Sequence, residues 1–142
     1  MFLAVIERQE ELEALIPFFE SFEEDIVFRS SRRDVSENWV YYSDYNNELL
    51  NEVFEVFEVR SVEKIDGKLY REASIQFECK AKPKTVEYWG FYYVEDGEPV
   101  GWGGSKFYYP TEREGNGYRY RGSGTYYTER IVDNWYYFET AF

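Results

Sequence analysis

The sequence has no histidine among its 142 residues and only one cysteine, Cys79. The lack of histidine excludes serine–histidine and cysteine–histidine nucleophile pairs, histidine general bases and histidine metal ligands. One cysteine forms neither an intrachain disulfide nor a thiolate zinc site, so nothing indicates an oxidising compartment. Cys79 lies between two charged residues in a predicted strand, where a small packing residue is the expected role.

Long apolar runs are also missing. The segment Met1–Ile6 is apolar but is followed at once by Glu7 and has no basic start, so it does not read as a signal peptide. No apolar run approaches the roughly 20 residues that cross a membrane as a helix. We therefore expect a cytoplasmic protein with no membrane contact. The length suits one domain, and without a repeat or linker we predict a single domain over residues 1–142.

Basic residues are scarce, with 16 Lys and Arg against 28 Asp and Glu and a net charge of −12. The imbalance lies mostly in Met1–Lys80, which has 19 acidic and 9 basic residues. Binding of duplex nucleic acid depends on basic side chains that neutralise phosphates, so no such partner is expected. An acidic surface attracts a basic protein and speeds its association, although excess acid also simply keeps an aromatic-rich protein soluble.

Aromatic residues are abundant, and 18 of the 31 lie in Val86–Phe142. Aromatic and β-branched residues favour strands, and Asp-Gly or Asp-Asn pairs favour tight hairpin turns. Three such pairs occur, at Asp66-Gly67, Asp96-Gly97 and Asp133-Asn134. The predicted hairpins are Val53–Ile65 with Lys68–Ala81, Val86–Glu95 with Glu98–Tyr109, and Tyr118–Val132 with Trp135–Phe142. This arrangement is an antiparallel meander of about six strands.

The N-terminal part contains helical patterns. A first helix is predicted over Glu10–Ile16 and a second over Pro17–Phe28, because proline is best tolerated in a first helical turn. The second helix would carry an apolar stripe made of Phe18, Phe19, Phe22 and Ile26. Trp39–Tyr42 resembles a short strand. Asn46–Phe57 fits either a helix or a strand, and the hairpin at Asp66-Gly67 favours strand from Val53 onward.

Helices followed by strands predict an α+β fold. The expected architecture is an N-terminal helical segment packed on a strongly bent antiparallel meander of about six strands, in the shape of a cone or half-barrel.

The candidate binding surface is a strand in which aromatic rings flank two glycines. Side chains alternate along a strand, so Tyr118, Tyr120, Gly122, Gly124 and Tyr126 share one face. The gap at the glycines holds a ligand or partner group, or it marks a bend covered by a neighbouring aromatic ring, which we favour. The full candidate binding set is Tyr118, Arg119, Tyr120, Arg121, Gly122, Gly124, Tyr126 and Trp102.

The two arginines of this strand have two interpretations. Arg119 and Arg121 fall on the opposite face unless a bulge at the glycines turns one of them toward the tyrosine rim. There an arginine and the rings would hold an anion or stack on a base. Alternatively, the arginines pair with Glu112, Glu114 or Glu129 across strands.

The expected function is non-enzymatic binding: an acidic protein that blocks a partner with a basic surface, as an immunity protein or a phage anti-defence inhibitor does. Tyr and Trp, which are favoured in binding hot spots, support it. An alternative is an aromatic-lined cup that binds or sequesters a small, anionic or nucleotide-like ligand. A third is a carboxylate-dependent glycan hydrolase, which needs two acids in a cleft, from Glu87, Glu95, Glu129 and Glu139. No catalytic residue, cofactor or metal is assigned, and a homo-oligomer is left open.

Overall fold

The computed structural model describes residues 2–33, 36, 38–80, 86–122 and 124–141. The described chain forms four α-helices, which are α1 Phe2–Glu7, α2 Gln9–Ala14, α3 Ile16–Glu20 and α4 Glu48–Val56. It forms nine strands, which are β1 Ile26–Arg29, β2 Trp39–Tyr41, β3 Val59–Ile65, β4 Ser74–Cys79, β5 Tyr88–Tyr93, β6 Glu112–Glu114, β7 Gly117–Arg121, β8 Thr125–Val132 and β9 Trp135–Ala141. Short 3-10 helices span Tyr42–Tyr45, Trp102–Gly104 and Lys106–Tyr108.

The strands form one sheet in the order β2-β1-β3-β4-β5-β9-β8-β7-β6. Only the β1–β2 pair is parallel among the described strands, and every other neighbouring pair is antiparallel. The prediction of an α+β fold with a helical segment on an antiparallel sheet is confirmed. The sheet has nine described strands rather than about six, and it stays open, with β2 and β6 at its edges.

The helices pack on one face of this sheet. Strand alternation directs Phe28, Phe77 and Phe91 toward that face, where they are buried. The helices contribute the buried side chains Val5, Leu12, Phe19, Leu50, Val53 and Phe54 to the same core, and Leu15 between α2 and α3 joins them. In α4 the apolar residues recur at helical spacing, and the side chain of Asn47 caps its start by accepting a hydrogen bond from the amide of Leu50 at 3.0 Å.

A second core lies on the opposite sheet face, and none of the described α-helices contributes a side chain to it. Its buried side chains are Tyr92, Val94, Val100, Tyr126, Tyr136 and Phe138. Three tyrosine hydroxyls bind the covering segment Gly97–Gly101 to the strands. Tyr136 donates to the carbonyl of Gly97 at 2.6 Å, Tyr126 donates to the carbonyl of Val100 at 2.8 Å, and Tyr92 accepts from the Val100 amide at 3.3 Å.

Two predictions for the N-terminal half are wrong at their boundaries. The helix predicted over Pro17–Phe28 ends at Glu20, and Ile26 and Phe28 lie in β1 with their side chains buried. The residues of the apolar stripe fit a helix and also the period-two pattern of a strand. Of the strand predicted over Val53–Ile65, the part Val59–Ile65 forms β3, but its start belongs to the helix α4, which ends at Val56. Leu50, Val53 and Phe54 all reach the core only when the backbone there is helical.

The three predicted turns have different outcomes. Asp133-Asn134 joins β8 to β9 as predicted. Asp66-Gly67 begins the longer connection 66–73 between β3 and β4, which pair at Ile65 and Ser74. Asp96-Gly97 forms a turn, but Glu98–Tyr109 contains no strand, and β5 pairs with β4 and β9 instead. Ala81 and Phe142, the predicted last residues of two strands, lie outside the described residues.

Candidate protein-binding surface

The strand that carries the sequence-predicted site is β7, and it separates the tyrosines from the arginines. Tyr118 and Tyr120 lie on the sheet face opposite the helices, across from Thr128 and Tyr126 of β8. Arg119 and Arg121 lie on the other face. The β7–β8 ladder runs without a register shift from Gly117 to Arg121, so no bulge turns an arginine toward the tyrosines.

The glycines of that predicted site lie in the turn between β7 and β8, where Gly122 donates to the carbonyl of Gly124 at 2.9 Å. The hydroxyl end of Tyr120 occupies the space that a Cβ at Gly122 would need. The continuous strand predicted over Tyr118–Val132 is therefore wrong: the chain reverses between β7 and β8, so no gap lies within a strand, and the ring of Tyr120 covers Gly122. Tyr126 is fully buried, and Tyr120 packs edge-on against Tyr108 with ring centres 5.3 Å apart.

Trp102, the last residue of the predicted set, lies in the segment that covers the second core. Its ring stacks on Tyr88 at 5.7 Å and meets the edge of Tyr108 at 6.3 Å. Through Tyr108 the structure brings Trp102 near Tyr120, but both rings pack inside the aromatic cluster.

The two arginines of β7 form ion pairs with β6. Arg119 pairs with Glu114 at 2.7 Å, and Arg121 pairs with Glu112 at 3.1 Å and with Glu114 at 3.0 Å. The hydrogen bond from Arg119 lowers the pKa of the Glu114 carboxyl below its ordinary value. These cross-strand pairs match the second interpretation of the arginines.

A different surface exposes three large apolar side chains. Leu69 is 86% exposed, Tyr70 56% and Phe107 71%, and the rings of Tyr70 and Phe107 have centres 5.3 Å apart. We call these three residues the apolar ridge. They come from two segments that are distant in sequence, 66–73 and 102–109. The ridge was missed from the sequence because Lys68–Ala81 and Glu98–Tyr109 were both assigned to strands.

Backbone hydrogen bonds join the two segments of the apolar ridge. The amide of Lys106 donates to the carbonyl of Tyr70 at 2.8 Å, and the amide of Glu72 donates to the carbonyl of Gly104 at 2.7 Å. Arg71 and Ser105 form an isolated antiparallel bridge between them. The ridge is therefore carried on a paired support rather than on two independent loops.

The side chain of Arg71 ties this support to the sheet. Its guanidinium pairs with Glu63 of β3 at 2.9 Å, donates to the carbonyl of Gly103 at 3.0 Å and lies 3.4 Å from Asp25. Burial raises the pKa of the Glu63 carboxyl, and the charge of Arg71 acts in the opposite direction.

An acidic groove of about 470 Å³ runs beside the apolar ridge. Both segments of the ridge contribute to its walls, and the chain near Asp96 closes it. The charged residues that line it are Asp66, Arg71, Glu72, Glu95, Asp96 and Lys106. Burial raises the pKa of the Glu72 carboxyl, Asp96 raises it further, and Lys106 lowers it. We call this feature the acidic groove.

The four glutamates considered for hydrolytic chemistry do not lie together as one group. Glu129 and Glu139 share a sheet face, but each lies across from a tyrosine, Tyr137 and Tyr127 respectively. Glu129 accepts a hydrogen bond from Tyr127 at 2.5 Å. Glu95 lies in the turn after β5, and Glu87 is exposed just before that strand.

The described part of the chain shows no arrangement that favours metal binding or thiol chemistry. No group of three or more Cys, Asp or Glu side chains there is arranged to hold a metal ion. Cys79 is buried in the core, and this burial raises the pKa of its thiol to about 12.

Comparison of the chain with protein-family models, with curated proteins and with solved structures found no significant match. None of the described helices combines the length and the hydropathy that crossing a membrane requires.

Proposed function

We propose that this chain is a non-enzymatic, acidic binding protein that blocks a partner protein with a basic surface, in the manner of an immunity protein or an anti-defence inhibitor. The observation that carries the proposal is the apolar ridge, in which Leu69, Tyr70 and Phe107 are mostly exposed and the rings of Tyr70 and Phe107 lie together.

The energetic reason is that the apolar ridge offers area whose removal from water is favourable. Each square ångström of apolar surface buried contributes about 25 cal/mol. Aromatic side chains such as Tyr70 also rank among the residues that dominate binding energy. The support beneath the ridge is already held by Arg71 and by backbone pairing, so association orders little additional chain.

The charge around the apolar ridge supports a basic partner. The acidic groove borders the ridge on one side. A second depression, which includes Leu69 and Tyr70, has no excess of either charge, because Glu24 and Asp25 line it together with Lys68 and Arg71. Together with the net charge of −12, this arrangement attracts a positively charged surface and repels an acidic one.

The test uses the tagged protein as bait in extracts of the organism that encodes it. The double substitution Leu69→Asp with Phe107→Asp should abolish recovery of the partner. The matched control is Leu3→Asp with Ile6→Asp on α1, where both residues are also exposed, and it should recover the partner normally.

The purified partner should lose its activity when the wild-type protein is added, and it should keep that activity with the ridge variant. Equal recovery of the same partner by wild type and by the ridge variant would contradict the proposal. Release of a small molecule from the denatured wild-type protein, with no protein partner, would favour the sequestering cup instead.

A further inference from the structure

Two arginine side chains lie over aromatic rings at the β2 edge of the sheet. The guanidinium carbon of Arg29 lies 4.7 Å from the ring centre of Trp39, and that of Arg32 lies 4.2 Å from the ring centre of Tyr41. Phe28 is buried toward the helices, so its neighbour Arg29 and the paired Tyr41 take the opposite sheet face. Trp39 shares that face, because two residues, or about 7 Å, separate it from Tyr41 along the strand. We call Arg29, Arg32, Trp39 and Tyr41 the arginine edge.

The two carboxylates on the neighbouring strands β3 and β4 already have basic partners. Glu63 of β3 pairs with Arg71 at 2.9 Å, and Glu78 of β4 lies 3.9 Å from Arg60. Arg29 itself forms no ion pair with a residue that the structure describes. The positive charge of Arg29 is therefore not balanced locally, although the chain as a whole carries −12.

Arg29 is also partly removed from water. Its side chain is half-buried, and the enclosed Nε has no hydrogen-bond acceptor among the described residues. A guanidinium that is both partly buried and unpaired is unfavourable, and a negative group at its terminal nitrogens offsets this penalty. The ring of Trp39 beneath the guanidinium holds its plane in place.

Arg32 provides a second cation that can change partners. It pairs with Asp44 at 3.0 Å, but the two side chains are 68% and 53% exposed, and exposed pairs of this kind contribute little to stability. The guanidinium of Arg32 therefore exchanges Asp44 for a ligand oxygen easily. Arg33, the next residue, is exposed and adds a further positive charge.

We infer that the arginine edge binds the phosphate of a nucleoside monophosphate, with the base against the exposed part of the Trp39 ring. Guanidinium groups form paired hydrogen bonds with phosphate oxygens, and Arg29 and Arg32 offer two such groups over adjacent rings. Trp39 is 40% exposed, and bases stack well on aromatic side chains.

The net acidity of the chain selects a small anion over a nucleic acid strand. A mononucleotide meets only the charges within about 8 Å at physiological ionic strength, whereas a long strand meets the repulsion of the wider surface. This site is independent of the proposed function, because no residue of the arginine edge belongs to the apolar ridge.

The test is a nuclear magnetic resonance titration of the full chain at physiological ionic strength with three probes. Adenosine monophosphate should saturably shift the indole N–H signal of Trp39 and the Nε–H signal of Arg29. Adenosine, which lacks the phosphate, should bind about tenfold more weakly. Ribose phosphate, which lacks the base, should also bind about tenfold more weakly.

Three variants locate the site. Arg29→Gln should weaken adenosine monophosphate about tenfold and leave adenosine unchanged. Asp44→Asn should tighten adenosine monophosphate about threefold, because it removes a competing carboxylate from Arg32. The matched control is Arg113→Gln on the other edge strand, β6, where the guanidinium lies 5.5 Å from the ring centre of Tyr118. This control should bind all three probes as the wild type does.

Equal binding of adenosine monophosphate and adenosine by the wild-type protein would overturn the phosphate site. Equal binding of adenosine monophosphate and ribose phosphate would overturn the stacking of the base on Trp39. Unchanged affinity in both Arg29→Gln and Asp44→Asn would overturn the assignment to the arginine edge. If Arg29→Gln does not fold, Asp44→Asn decides alone, because its substituted side chain is exposed and a gain in affinity does not follow from a purely structural role.

Discussion

At the scale of single residues, phenylalanines of similar sequence context have different environments. Phe19 is fully buried, and its ring meets those of Phe28 at 5.6 Å and Phe77 at 5.9 Å. Phe22 packs on the outside of the same cluster, against Phe18, Phe28 and Tyr45, and remains partly exposed. The sequence pattern grouped both phenylalanines in one apolar stripe, but of the two only Phe19 lies in a helix and is fully buried against the sheet.

We predict that Phe19→Ala lowers the free energy of unfolding by about 3–5 kcal/mol, because a buried aromatic ring is replaced by a cavity. Phe22→Ala should lower the free energy of unfolding by clearly less, since part of the Phe22 ring already contacts water. Urea unfolding of both variants beside the wild type measures the difference. Equal losses would mean that Phe22 is as deeply packed as Phe19.

At the scale of elements, the close approach of β4 and β5 depends on a residue without a side chain. A Cβ at Gly90 would overlap the carbonyl oxygen of Phe77 on the neighbouring strand. Backbone atoms of a paired strand do not move aside without breaking the ladder.

Gly90→Ala should therefore destabilise the protein by about 3 kcal/mol or more, at the upper end of the range for overpacking. Gly122→Ala is the matched control, because its added Cβ meets the movable hydroxyl end of Tyr120. Thermal unfolding followed by circular dichroism compares the two variants. A Gly90→Ala protein as stable as the Gly122→Ala protein would show that the two strands separate easily.

The link between β3 and the 66–73 segment makes stability depend on pH. Burial raises the pKa of Glu63 above its ordinary value of 4.5, so the folded state binds this proton more tightly than the unfolded state. Its contribution is complete below 4.5 and is lost as pH rises through the raised pKa. Glu63→Gln should lack this decline when unfolding free energies are measured from about pH 4 to about pH 7.

Glu114 provides a control of opposite sign. Arg119 lowers its pKa, so the stability that it contributes is present above 4.5 and is lost as pH falls through the lowered pKa. The difference between wild type and Glu114→Gln should thus shrink on acidification. Parallel pH profiles for wild type and Glu63→Gln would contradict the account of Glu63.

At the scale of the whole molecule, the net charge of −12 acts at a distance on any basic partner. We predict that the association rate falls as salt is added, because attraction between charges is screened beyond about 8 Å at physiological ionic strength. The dissociation rate should change less, since it depends more on the short-range contacts of the apolar ridge. Stopped-flow or surface-based kinetics across salt concentrations measure both rates. An association rate independent of salt would remove the electrostatic part of the proposal.

Some features of the candidate site follow from residue types, and others do not. The lack of histidine and the acidic balance are visible in the sequence and favour binding over histidine-dependent catalysis. The apolar ridge was not predicted, because Leu69, Tyr70 and Phe107 are residues that strands usually bury. Their exposure depends on how segment 66–73 pairs with segment 102–109, a contact between parts of the chain far apart in sequence.

The same division holds for the fold. The sequence by itself determined the α+β class, the strand at Trp39 and the hairpin at Asp133-Asn134, because turn chemistry and side-chain alternation act between near neighbours. Only the tertiary structure decided that α4 is a helix and that β5 lies between β4 and β9. Both outcomes depend on which apolar face is buried against another element, and that element comes from a distant part of the chain.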